Sequence, residues 1–267
     1  MSNTNYWNNK DALSKQAIGH FYDMNARYSS SISHSVLNSK IYDENHIFHQ
    51  YSKIQNQPKI SLLDTDTVSC LFDMNTLTKT AILNFASFKH PGGKFLEGSS
   101  AQEESLCHAS TLYNVLSSYE FNDYYEYNRK NANKGLYLNR AIYTPDICFF
   151  YNDFEKRVDV ITCAAPNVTA IMRYNRYIPI EIIENIINSR CKFILDVAEE
   201  NNIRCLILGA FGCGVFGNNP EFIANSFMNL LTNEKYNFEE IIFAIPNNGH
   251  SSENFNAFKN VLFSYKL

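Results

Sequence analysis

Several absences narrow what this chain can be. There is no basic surplus: 23 Lys and Arg stand against 27 Asp and Glu, a formal charge of −4. A chain so balanced does not coat nucleic acid electrostatically, although a local cationic site for a phosphate ligand stays open. No two of the seven cysteines are spaced Cys-x-x-Cys, and the seven histidines follow no zinc-binding pattern. No metal and no cofactor are therefore expected. Cys163 and Cys205 lie in apolar, strand-like runs as small hydrophobes, the usage expected of an intracellular, cytoplasmic setting. The N-terminus lacks the basic segment and apolar core of a signal peptide, and no apolar run approaches membrane-spanning length. No membrane contact is expected.

What is present is enough chain for one sizeable core. The 267 residues are 45% hydrophobic and 14% aromatic. Neither an internal repeat nor a low-complexity linker divides them. A helix is expected over residues 10–24, then a polar, Ser-, Asn- and His-rich irregular stretch over 29–57, where His34, His46 and His49 read as surface or structural groups. Residues 60–63 read as a strand, and 64–75 stay undefined. A strand at 80–83 precedes a loop, and Leu106, Leu112 and Leu116 suggest one helix beyond it. Residues 114–129 hold Tyr119, Tyr124, Tyr125 and Tyr127, rings that could stack on a base but read first as packing. Strand pieces at 141–145 and 148–151 are interrupted at Pro145. From 157 the pattern is regular: strands at 158–163, 203–208 and 241–245, helices at 182–198, 220–231 and 255–263. That alternation predicts a largely parallel sheet covered by helices.

The first chemical constellation follows the strand at 80–83: Asn84-Phe85-Ala86, a loop containing Gly92-Gly93, then Gln102-Glu103-Glu104. Taken separately, the glycines suit an ordinary tight turn, and the carboxylates suit simple capping of a helix start. The order of parts together points to a site. The second constellation follows the strand at 203–208 and reads Gly209-Ala210-Phe211-Gly212-Cys213-Gly214-Val215-Phe216-Gly217-Asn218-Asn219-Pro220. Glycines here let successive N–H groups approach a pyrophosphate without Cβ interference, and a helix starting near Pro220 adds its positive end. Gly212-x-Gly214-x-x-Gly217 also satisfies the dinucleotide-binding fingerprint. Against a nicotinamide-dependent oxidoreductase, the next strand ends on Pro246-Asn247-Asn248, where an acid for the ribose belongs. Cys213 at such a turn could be a nucleophile, with His108 or His250 approaching it in space, but a small residue beneath the phosphates is the favoured reading.

These two motifs together resemble the microbial branch of the poly(ADP-ribose) glycohydrolases, whose pattern is Gly-Gly-Gly, a short spacer, then Gln-Glu-Glu. The second loop is similar to that family's diphosphate loop, Gly-Cys-Gly-x-Phe-Gly. Ala164-Ala165-Pro166-Asn167 and Arg140-Ala141-Ile142-Tyr143-Thr144-Pro145 extend the resemblance over residues 60–267. The chain departs from the pattern at Lys94, which takes the place of the third glycine. Lys does not reach φ > 0 freely, so a different loop backbone is expected there; alternatively the ammonium reaches an anionic ligand. The resemblance implies a macrodomain-like three-layer α/β/α fold with a mixed, largely parallel sheet. It places that domain at residues 59–267, behind an N-terminal helical accessory segment at 1–58, in a monomer. It implies hydrolysis of the ribose–ribose O-glycosidic bond with Glu104 as general acid and base. Glu103 and Asn84 would position ribose hydroxyls, and Gly92, Gly93, Gln102, Gly212, Cys213, Gly214, Val215, Phe216 and Gly217 would bind substrate. The partner is an ADP-ribose polymer or an ADP-ribosylated protein. Removal of single ADP-ribose units, or an ADP-ribose-binding module without turnover, are the alternatives.

Overall fold

The computed structural model describes residues 3–48, 57–75, 78–174, 177–234, 236–249 and 251–265. Helix α1 (Asn3–Leu37) leads to a short strand, β1 (Lys40–Tyr42). After it come β2 (Lys59–Leu63), α2 (Thr67–Asp73) and β3 (Thr80–Phe85). The chain continues through α3 (Gln102–His108), α4 (Leu112–Leu116) and α5 (Asn122–Lys130) to the strands β4 (Ala141–Tyr151) and β5 (Phe154–Cys163). The remainder is α6 (Val168–Arg173), α7 (Ile180–Glu200), β6 (Cys205–Leu208), α8 (Pro220–Asn233), β7 (Glu240–Ala244) and α9 (Ser251–Ser264).

The strands form one sheet in the order β1-β4-β5-β3-β6-β7-β2. The five from β5 to β2 run parallel, while β4 is antiparallel to both β5 and β1. Alternation along the strands sorts their side chains onto two faces. Leu83, Leu206 and Phe243 pack with α7, α8 and α9, whereas Ile82, Ile207 and Ile242 pack with α1, α2 and α4. The three layers expected from the sequence are therefore present, with the mixed, mostly parallel sheet between them.

Four local expectations need correction. The polar stretch after residue 24 is still helix as far as Leu37, with non-helical backbone only at Tyr28. Serine and asparagine are weak helix formers, but Ile32 and Ser35 are buried here, and packing outweighs propensity. Residues 67–73 form α2, whose N-cap Asp66 accepts the N–H groups of Val68 and Ser69. The helix expected through Leu106 and Leu116 is two helices. Between them the chain bonds to β4: Phe150 N–H donates to Ala109 O at 2.7 Å and Thr111 N–H to Cys148 O at 3.0 Å. Finally, the two strand pieces around Pro145 are one strand. The proline, which has no N–H for the ladder, sits where the register shifts between Thr144 and Ile147. His34 and His46 make surface contacts with Asp146 and Glu200. His49 and His250 lie outside the described residues.

Candidate active site

Ligands of parallel α/β sheets bind beyond the carboxyl ends of the strands. Here a cleft of about 610 Å³ lies there, walled by Phe85 and Ser87 at the end of β3, by residues 210–212 and 214–216 after β6, by Ile245 and Pro246 after β7, and by Asp66 and Thr67 after β2. Both sequence constellations open into it.

Glu103 and Glu104 stand in the first turn of α3, where the helix N-terminus favours negative charge. Both are almost fully buried, at 4% and 6% exposure. Ser87 N–H donates to Glu103 Oε2 at 2.6 Å, and Asn84 Nδ2 donates to its Oε1 at 3.3 Å. Burial pushes the Glu103 carboxyl up to about 8, with the charge of Glu104 adding to the effect. The N–H groups of Ser87 and Gly92 and the Asn84 amide pull the other way and do not overcome it. Glu104 is held on one side only. Lys94 N–H donates to its Oε1 at 2.9 Å, while Oε2 is buried with no hydrogen-bond partner.

The paired glycines are required by this arrangement. Gly93 has φ +61, and a Cβ there would lie 2.6 Å from Glu104 Oε1 and 2.9 Å from Glu103 Oε2. The carboxylates therefore pack directly on the glycine backbone. Lys94 has φ −113, an ordinary backbone conformation for a residue with a side chain, so the loop does not need a third glycine. Lys94 borders the cleft, and its ammonium lies 3.8 Å from Glu97.

Two residues expected at the ligand hold the site from behind. Asn84 is completely buried, bonded to Glu103 and to Thr162 Oγ1. Gln102 borders the cleft, but its amide completes the end of β3: Phe85 N–H donates to Oε1 and Nε2 donates to Leu83 O, both at 2.9 Å.

The second loop is closed by Asn218, whose amide donates to Pro166 O at 2.8 Å and to Gly212 O at 3.0 Å. Gly212 and Gly217 adopt φ +72 and +69, whereas a Cβ on Gly214 would meet nothing within 4 Å. The N–H groups of Gly214, Val215 and Phe216 donate to no protein oxygen among the described residues, although all three residues border the cleft. Bare donors on one turn form an anion-binding concavity. Cys213 turns inward instead. Its polar contact is Phe211 O at 3.6 Å, and burial pushes the thiol up to about 12, far from an activated nucleophile. Phe216 meets Tyr137 edge-on at 6.2 Å, and Tyr137 stacks on Phe88 at 4.3 Å. The acids of β7, Glu239 and Glu240, lie at its N-terminal end, across the sheet from the cleft, where they cannot meet a dinucleotide ribose.

Sequence reasoning missed the far end of the cleft, formed by Asp66, Thr67, Pro246 and Asn254. The one local signal was Asp66-Thr67-Val68-Ser69, a helix start that would have placed α2 beside the end of β2.

A three-layer α/β domain with a buried carboxylate pair facing a glycine-rich anion loop is the class these features define. A family model described as the catalytic domain of microbial-type PARG, poly(ADP-ribose) glycohydrolase, matches residues 11–152, more than half of the chain, and the chain belongs to that family. Solved structures agree. The poly(ADP-ribose) glycohydrolase of Thermomonospora curvata superposes with a TM-score of 0.82 at 26% identity, over 94% of this chain and 99% of that one. The same bacterium's enzyme bound to the inhibitor ADP-HPD gives 0.79 at 25% identity, over 94% and 99%. The Deinococcus radiodurans enzyme in complex with ADP-ribose gives 0.77 at 29% identity, over 88% and 98%. No curated protein sequence matches the chain.

Proposed function

We propose that this protein is a poly(ADP-ribose) glycohydrolase that releases ADP-ribose by hydrolysing the ribose–ribose O-glycosidic bond, with Glu104 as general acid and then general base. The observation that carries the assignment of Glu104 is its free oxygen. Oε1 is anchored by Lys94 N–H, and the unpartnered Oε2 is left to exchange a proton with substrate. Many glycosidases divide the work between carboxylates on opposite sides of the bond. Glu103 and Glu104 are neighbours on one helical turn and cannot face each other across a substrate, so one carboxyl acts twice. Glu104 protonates the departing oxygen as its bond to the anomeric carbon breaks. It then takes a proton from the water that adds to the same carbon. The diphosphate, on the bare N–H groups of Gly214, Val215 and Phe216, lies close enough to stabilise the positive charge that develops on the ribose.

Glu103 and Asn84 fix the geometry around the ribose, Gly93 gives the carboxylates room, and Gly92 lets the loop pack on Tyr113 and Cys107. Phe216 flanks the ribose, and the adenine takes the far end near Asp66 and Pro246. Gln102, Gly212, Cys213 and Gly217 shape the two loops. In this reading residues 59–267 are the glycohydrolase domain and 1–58 an accessory segment braced against it.

Glu104→Gln tests the assignment. The amide keeps the shape but neither gives nor takes the proton. Release of ADP-ribose from poly(ADP-ribose) should fall by about 10²-fold or more, while calorimetric affinity for ADP-ribose stays within about tenfold. Undiminished turnover would remove Glu104 from the mechanism.

A further inference from the structure

We propose that a cationic rim formed by Lys89, Arg129 and Lys134 binds the diphosphate of the ADP-ribose unit on the leaving side of the scissile bond. The inference rests on the function proposed above and concerns a surface outside the cleft.

Sheet order gives the direction in which a substrate must run. The far end of the cleft lies over β7 and β2, the anion loop follows β6, and the carboxylates sit beside the end of β3. A ligand with its diphosphate on the β6 loop and its reacting ribose at Glu104 therefore crosses the sheet from β2 towards β3. Whatever is attached to the anomeric carbon continues over β5 and β4.

The surface met there is formed by the β3 loop, the C-terminal end of α5 and the loop between α5 and β4. These parts are fastened together. Asn128 Nδ2 donates to Phe88 O at 2.9 Å and Arg129 Nη1 to Lys89 O at 3.1 Å. Tyr137 stacks on Phe88, and Asn167 N–H donates to Gly135 O at 2.8 Å. Although the chain carries a net charge of −4, this surface presents Lys89, Arg129 and Lys134, none of which forms an ion pair among the described residues. The nearby Glu126 is already occupied by Lys130 at 2.6 Å. His90, next to Lys89, borders the cleft and joins the two surfaces.

The loop also carries unusual backbone. Asn133, Lys134, Gly135 and Tyr137 all have positive φ, at 42, 56, 100 and 61. Left-handed backbone at three residues with side chains is unfavourable and gathers where a segment is held for a ligand. A second diphosphate supplies the charge such a rim lacks. A single ADP-ribose on a protein side chain offers no anion at that position.

The test uses the full chain carrying Glu104→Gln, so that ligand is bound but not consumed, with and without Lys89→Glu and Lys134→Glu. Both lysines lie outside the cleft, and circular dichroism checks the fold. Labelled ADP-ribose oligomers and free ADP-ribose are titrated by fluorescence anisotropy and calorimetry at low and at half-molar salt. With the rim intact, oligomer should bind at least about tenfold more tightly than ADP-ribose at low salt, and the gap should close as salt screens it. The two reversals should abolish the gap and leave the ADP-ribose affinity within about twofold. Equal binding of oligomer and monomer, or a preference that survives both reversals, overturns the proposal. Failure of the underlying function would look different: folded wild-type protein would release no ADP-ribose from polymer, whatever the rim does.

Discussion

Glu103 shows how much of this site is decided by desolvation. Its carboxyl is pushed up to about 8 from an ordinary 4.5, mainly by burial and then by the neighbouring Glu104. At neutral pH the folded protein therefore holds a proton on Glu103 that the unfolded chain has already released. The hydrogen bonds accommodate it, because Asn84 Oδ1 is buried without a partner. Turning that amide over would present Oδ1 to a protonated Glu103. Such a group contributes most to stability below about 4.5, loses that contribution as pH rises towards 8, and changes nothing further above it. Unfolding free energies from denaturant melts at pH 5, 6.5 and 8 should thus fall across the series by up to about 1.4 kcal/mol per pH unit from this residue. In Glu103→Gln that slope should be missing. Parallel profiles for the two proteins would show that Glu103 is ionised in the fold.

At the scale of elements, the two loops use their glycines for different reasons. Seven of the ten glycines fall in them, at 92, 93, 98, 209, 212, 214 and 217. Gly212 is a folding requirement: its φ is +72, and a Cβ would sit 2.5 Å from Ala165 Cβ and from Asn218 Nδ2. Gly214 is free of both constraints and faces the cleft, so its openness serves the ligand. Gly214→Val should keep the melting temperature within about 2 °C, because nothing is overpacked. Its ADP-ribose affinity should drop by about tenfold or more. Gly212→Val should instead cost about 2–4 kcal/mol of stability through backbone strain and overpacking. Thermal melts beside calorimetry separate the two, and equal damage from both would mean the loop acts only as a turn. Both loops were legible in the sequence as glycine-rich turns after apolar strands, because glycine is concentrated where backbone takes positive φ or is closely approached. The split between α3 and α4 was not, since it depends on Ala109 and Thr111 bonding to a strand about 40 residues away. Asn84 was legible as important, but sequence order does not reveal that it is fully buried and bonded to Glu103.

For the molecule as a whole, α1 matters more than an N-terminal appendage would suggest. Apolar spacing made its first half readable. The surface it covers is assembled from distant parts of the chain and could not be read the same way. Ala17 and Ile32 join the core on the α3 and α4 face of the sheet. Ser14 Oγ donates to Leu96 O at 2.6 Å, His20 bonds Ser110 O at 2.8 Å, and Asn114 Nδ2 donates to Phe21 O at 2.9 Å. The helix therefore braces the loop that carries Gly93 and the segment that follows the helix carrying Glu104. Gly98 is the closest approach: its φ is +78, and a Cβ would overlap the carbonyl of Lys10 and lie 3.0 Å from Ser14 N. Backbone on both sides leaves no flexible side chain to give way. Gly98→Ala should cost about 2–4 kcal/mol, combining left-handed strain with the clash. Because Ala101 and Gln102 follow directly, turnover should fall more than stability alone explains at temperatures where the variant is still folded. Poly(ADP-ribose) hydrolysis measured well below the variant's melting temperature checks this. Wild-type turnover there would mean that α1 stabilises the fold without holding the carboxylates in place.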